Sequence, residues 1–314
     1  MNSLLLLLIN GYQSCCQTGL LGQGGRIGMR KRLSITLGLI LVFACLTVAQ
    51  VKNESRRIGP GLTGPVRSVR IERANFSKKG DDYIEGSRVL AETILLDPQW
   101  RRLERRYHNP DGSVLTANVV TLDADGDQTE VSENNGEGGL IRKIVFIYDD
   151  RKRLNEYVAY KADGTLQPRW IATRPVPGNV EISTYNGDGS FRDRAVNTFA
   201  FTKPGEKFES SVYNLDGALA QKTVFVADGN GRVERWEYIP DGSLLARFVD
   251  ARDSEGFLIE GAEYNADGSI RRKETFTREF DAQGNWIKET KSEWDAKAGT
   301  LVPTAITHQI ITYY

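Results

Sequence analysis

"YNADGSIRR" (Tyr264–Arg272) carries the spelling on which the fold turns: aromatic–x–x–Asp–Gly–x–apolar. The same spelling stands in "YKADGTL" from Tyr160, "YNGDGSF" from Tyr185, "YNLDGAL" from Tyr213 and "YIPDGSL" from Tyr238. Aspartate accepts local amide hydrogens, and glycine takes positive φ without a Cβ clash. Asn-x-Asp-Gly therefore suits a type I turn closed by a left-handed glycine, which joins two antiparallel strands. The aromatic ends the incoming strand and the apolar residue opens the outgoing one. The two are expected to pack across the hairpin on one face.

Working outward, turn marks recur at Gly112, Gly126, Gly139, Lys152, Gly164, Gly178, Gly189, Gly205, Gly217, Gly231, Gly242, Gly256, Gly268 and Gly284. Their mean step is about 13 residues, and from Gly164 long and short steps alternate, so the unit is a pair of about 26. Eight of the fourteen marks have Phe or Tyr four residues earlier, where composition gives about one. Between marks, "SIRRKETFTREF" (Ser269–Phe280) alternates, with Ile270, Phe276 and Phe280 on one face and only polar residues on the other. That is the half-buried antiparallel pattern. "DPQWRRLERRY" (Asp97–Tyr107) lies in phase with the turns and predicts a strand rather than a helix.

These observations predict an all-β fold, an antiparallel meander of about 13-residue strand–turn steps over residues 66–314. About sixteen strands would make a flat sheet about 75 Å wide, which native twist forbids. The sheet must coil into a superhelical ribbon or a barrel-like shell; a β-propeller is the alternative.

Residues 1–49 read as a targeting segment. "MRKR" (Met29–Arg32) precedes the apolar run Leu33–Leu46, and small residues lead to Ala49, the expected cleavage position. A complete signal starting at Met29 points to that residue as the true start. "VFAC" (Val42–Cys45) resembles a lipobox, which makes Cys45 a candidate for lipidation. Residues 50–65 read as a linker. From Gln50 onward the chain has no cysteine, hence no disulfide and no thiol chemistry. It has 37 basic and 41 acidic residues, a net charge of −4. That balance gives no electrostatic reason to bind nucleic acid.

At "FIYDDRKRL" (Phe146–Leu154) and "FDAQGNWIKE" (Phe280–Glu289) the sequence resembles the YD-repeat (Rhs-type) proteins and, more distantly, the MORN-like hairpin repeats. Tyr148-Asp149 and Phe280-Asp281 fit the pattern best, and Lys152 replaces glycine in the first. The resemblance implies an extended β shell and a small, stand-alone exported protein.

Little in the sequence points to chemistry. His108 and His308 are the only histidines, too few for a histidine metal site or a Ser/His/Asp site. "LDADGDQTE" (Leu122–Glu130) offers Asp123, Asp125, Asp127 and Glu130 as a weak candidate Ca²⁺ loop, although Asp125-Gly126 is already explained as a turn. Trp100, Trp170, Trp236, Trp286 and Trp294 could stack on sugar rings, with packing as the plainer role. No catalytic residue and no cofactor stand out. The expectation is an exported, non-enzymatic binding or structural scaffold of the bacterial cell envelope, with a protein or envelope polymer as partner. A carbohydrate-binding module, or a carboxylate-based glycan-active enzyme, is the alternative.

Overall fold

The computed structural model describes residues 62–314, apart from 81, 100, 176–178, 199–206 and 215. The targeting segment, with Met29, Cys45 and Ala49, lies outside the described residues, as do the turn marks Gly178 and Gly205. The strands are β1 (Val66–Lys79), β2 (Asp82–Glu85), β3 (Val89–Leu96), β4 (Arg102–His108), β5 (Val114–Leu122), β6 (Gln128–Asn135), β7 (Leu140–Tyr148), β8 (Leu154–Lys161) and β9 (Leu166–Thr173). They continue as β10 (Asn179–Tyr185), β11 (Phe191–Thr198), β12 (Lys207–Tyr213), β13 (Leu219–Ala227), β14 (Arg232–Tyr238), β15 (Leu244–Arg252), β16 (Leu258–Asn265), β17 (Ile270–Phe280), β18 (Trp286–Asp295) and β19 (Thr300–Tyr313).

From β3 to β19 every strand pairs antiparallel with the next, and β1 pairs with both β3 and β19. The meander thus closes into an 18-strand barrel, with β2 extending only the far end of β1. Eighteen strands make about 86 Å of sheet, a ring about 27 Å across before strand tilt widens it. Neither a propeller nor an open superhelix forms. The physical reason is that the last strand finds the free edge of the first, from Val66 opposite Tyr313 to Asn75 opposite Ala305. A closed ring leaves no unpaired edge around its circumference.

Asn285 locks the seam. Its amide donates to the Thr63 carbonyl at 3.0 Å and to the Tyr313 hydroxyl at 2.7 Å, and that hydroxyl donates to Asp281 at 2.7 Å. Asn285 is fully buried.

The alternating step lengths have a structural meaning: the hairpins fall on two rims with different turn chemistry. On the first rim, except at Asn135 and Asp295, the aspartate is third in the turn and accepts the amide two residues on, as Asp111 does from Ser113 and Asp267 from Ser269. On the second rim the aspartate comes first. Asp123 accepts the amides of Asp125 and Asp127, and Asp253 and Asp281 bond in the same way. The left-handed glycine of the turn after β6 is Gly138 (φ 86°), one residue before the predicted mark at Gly139. Lys152 adopts φ 58° in the glycine position of its turn.

Directly opposed residues of an antiparallel ladder share a face. Followed from rung to rung, one face carries both apolar clusters and forms the inner wall. The first cluster holds Leu154, Trp170, Ala172, Val180, Ile182, Ala195 and Val212, on β8 to β12. The second holds Leu62, Val66, Val69, Ile71, Ile94, Leu96 and Leu103, beside the seam. The hairpin aromatics do oppose apolar partners, as expected. On the first rim they face outward, as in Tyr185 opposite Phe191 and Tyr264 opposite Ile270. On the second rim they face inward, as in Tyr148 opposite Leu154 and Phe280 opposite Trp286.

Candidate functional site

The outer wall carries a repeated ion-pair ladder. Glu130 pairs with Lys143, Glu156 with Arg169, Glu181 with Arg194, Glu209 with Lys222, Glu234 with Arg247 and Glu260 with Lys273, at 2.7–3.6 Å. Each acid stands on an even-numbered strand from β6 to β16, and each base on the strand after it. The base then lies opposite a tyrosine on the following strand: Lys143 opposite Tyr160, Arg169 opposite Tyr185, Arg194 opposite Tyr213, Lys222 opposite Tyr238 and Arg247 opposite Tyr264. The three arginines sit 5.2–5.7 Å from the ring centres of those tyrosines, within cation–π range. At Glu234, burial pushes the carboxyl up, but hydrogen bonds and charge from Arg247 and Arg232 outweigh it and hold the carboxyl below its ordinary range.

The inner wall is divided by chemistry. Away from the first rim, its arc from β7 to β13 is largely apolar and aromatic, with Trp170 stacked on Tyr157 at 5.6 Å and Phe208 against Phe225 at 5.2 Å. Its arc from β14 to β18 is ionised. Asp250, Gly261, Glu274 and Glu293 form one rung across β15 to β18. Lys291 pairs with Glu274 and Glu293, Arg272 pairs with the same two, and Arg278 binds Glu289. Burial pushes the Asp250 carboxyl above its ordinary value, against the opposing charges of Arg252 and Arg235. Burial likewise lowers Arg252, which Asp250 partly restores.

The calcium-loop residues do not converge. Asp123 and Asp125 face the Lys152 ammonium, at 3.4 and 3.0 Å, while Glu130 turns to Lys143 on the outer wall. Among the described residues no group of three or more His, Cys, Asp or Glu is arranged to hold a metal. His108 bonds Thr93 and the Gly112 carbonyl, and His308 bonds Glu85, so the two histidines lie in separate contacts. Trp170 is buried in the apolar arc, and Trp236 lies under Arg247 on the outer wall. "RRLERR" splits between the walls, with Arg105 facing inward to Glu92 and Arg106 outward to Glu104.

Sequence reasoning missed the ladder, although its signal was present: in each of the six pairs the base follows its acid by thirteen residues. It also missed the ionised arc, because alternation separates two faces without saying which one a closed ring turns inward.

No family model matches the chain, and no curated protein matches it in sequence. Among solved structures it is similar to a porin-like protein from Bacteroides uniformis ATCC 8492, at 11% identity and a TM-score of 0.39 over 80% of this chain and 98% of that one. It is also similar to a DUF1329 family protein from Desulfovibrio piger ATCC 29098, at 10% identity and a TM-score of 0.25 over 79% of this chain and 86% of that one. Likeness this low carries no argument about function. The resemblance to YD-repeat and MORN-like proteins is corrected by the strand pairing and by the lack of a matching family model: the chain forms a closed 18-strand barrel, not an extended repeat shell. The Tyr-Asp and Asp-Gly spellings reflect what short hairpins need at their turns, and different sheet architectures share that need.

Proposed function

We propose that this chain is an exported, non-enzymatic β-barrel of the bacterial cell envelope that stands in water and offers its outer wall to a protein or envelope polymer. The outer ladder carries this reading. Six ion pairs line the outer wall from β6 to β17. A lipid-facing barrel wall is apolar between its interfaces, and each Arg or Lys at the bilayer midplane costs about 2–4 kcal/mol. Turning the walls around gives no relief, since the other face carries the Asp250–Glu293 rung and its bases. Ionised side chains at regular spacing suit a hydrated partner with a repeating polar surface.

Cell fractionation tests the reading. The tagged full-length protein is expected in the soluble periplasmic or secreted fraction, or on membranes from which alkaline carbonate releases it. Retention through carbonate, with heat-modifiable migration typical of an inserted barrel, overturns it. For the partner, crosslinking in intact cells from a photoreactive residue at position 183, between the ladder pairs, is expected to give one discrete adduct. Loss of that adduct in Arg194→Glu ties it to the outer wall, and an adduct indifferent to that change does not support the wall as the binding surface.

A further inference from the structure

The apolar arc of the inner wall contains one polar rung. Asn197 on β11, Ser210 on β12 and Thr223 on β13 lie directly opposite one another in sequence of strands. Their exposures are 0%, 1% and 1%. The Asn197 amide nitrogen donates to the Val180 carbonyl at 3.3 Å. Among the described residues, Asn197 Oδ1, Ser210 Oγ and Thr223 Oγ1 have no partner, and neither does Trp170 Nε1 on the same arc. Native proteins leave few buried polar atoms unpaired, because each forfeits its hydrogen bonds to water. Three side by side on adjacent strands, with Phe208 and Phe225 on one flank and Ala195 and Val212 on the other, make a polar line in an apolar wall.

We propose that this rung is the head-group seat for an apolar ligand bearing one neutral hydroxyl, of the long-chain alcohol class. The donor and acceptor inventory sets the class. The amide oxygen only accepts, so the ligand head must donate. The two hydroxyls both donate and accept, so the head must also accept. A carboxylate head fails because it cannot donate to Asn197 Oδ1, and no cation stands on the rung to offset its charge. An ammonium fails because it cannot accept. The flanking phenyl and aliphatic groups of Phe208, Phe225, Ala195 and Val212 match an alkyl body. This seat lies on the opposite face of the sheet from the outer ladder and does not depend on the envelope partner.

The test uses 1-octanol as probe on the full chain, by isothermal titration. Wild type is expected to bind it, and octyl methyl ether, which cannot donate, is expected to bind about tenfold more weakly. Ser210→Ala combined with Thr223→Val is expected to weaken octanol by about tenfold or more, and to weaken the ether as well, because the ether oxygen accepts from the same two hydroxyls. Thr223→Val alone, which keeps the side-chain shape, serves if the double variant does not fold, and is expected to weaken octanol several-fold. Equal affinity for octanol and ether, equal affinity in wild type and Thr223→Val, or no binding together with ordered water alone on the rung in a crystal soaked with octanol, each overturns the proposal.

Discussion

The Arg247 guanidinium grips the Glu234 carboxylate with two parallel bonds, Nη2 to Oε1 at 2.9 Å and Nε to Oε2 at 3.1 Å. Paired bonds of this kind add geometric selectivity to charge. The same base also covers the rings of Trp236 at 4.9 Å and Tyr264 at 5.2 Å. This is the most fully connected step of the outer ladder.

Arg247→Lys keeps the charge but loses the fork and the flat stacking surface. The expected loss is about 0.5–1 kcal/mol, seen as a lower denaturation midpoint. A double-mutant cycle with Glu234→Gln should return a coupling of similar size. The pH dependence has a definite sign. Glu234 is held below its ordinary range when folded, so its contribution is present above the unfolded pKa and disappears as pH falls through the folded one. Stability of Glu234→Gln should therefore be flatter than wild type under acid, below about pH 4.5. Parallel curves would contradict the assignment.

Asp250 should behave in the opposite way. Its raised carboxyl pKa, caused by burial, means that the folded state holds the proton more tightly than the unfolded state. That stabilisation is fully present below the ordinary carboxyl pKa and is lost as pH rises through the folded value. Asp250→Asn removes the titration, so its stability relative to wild type should increase as pH climbs above about 4. Urea midpoints measured at stepped pH check this, and a constant difference between the two proteins would refute it.

Asn285→Ala should loosen the barrel where it closes. The change removes the side-chain partners of the Thr63 backbone and leaves the Tyr313 hydroxyl only its bond to Asp281, and one buried unsatisfied group costs about 1–3 kcal/mol. The melting temperature should fall by about 2–4 °C for each kcal/mol lost. Hydrogen exchange should quicken in β1 and β19 before it does in β10 to β12. Uniform quickening would show that the seam is no weaker than the rest.

Two turn glycines separate backbone strain from collision. Both Gly242 (φ 87°) and Gly231 (φ 91°) are left-handed. A Cβ on Gly242 meets nothing within 4 Å, whereas on Gly231 it would stand 2.5 Å from the Arg252 carbonyl oxygen. Gly242→Ala should cost about 1–2 kcal/mol for its conformation alone, and Gly231→Ala clearly more. At Lys152, already left-handed, replacement by glycine should raise the midpoint despite the loss of its contacts to Asp123 and Asp125. A lower midpoint would mean that those contacts outweigh the strain.

Much of this architecture is written locally. Asp-Gly turns, aromatic partners such as Tyr185 and Phe191, and the alternation in β17 all depend on residues within a dozen positions of one another, so hairpins and a strand-only fold can be read directly. Closure depends on Val66 meeting Tyr313 across almost the whole chain, and no local spelling encodes it. The unpaired rung was equally hidden: Asn197, Ser210 and Thr223 are thirteen residues apart, and any one alone reads as an ordinary polar strand residue. The two turn spellings were visible, but assigning them to two rims needed the strand count between them.

Because the first strand waits for the last, the chain cannot complete its ring until some 230 residues have been synthesised and paired. Up to that moment the sheet keeps two free margins, that of β1 and that of the newest strand. Such late sealing makes the hairpin of β18 and β19 the step on which the whole assembly waits.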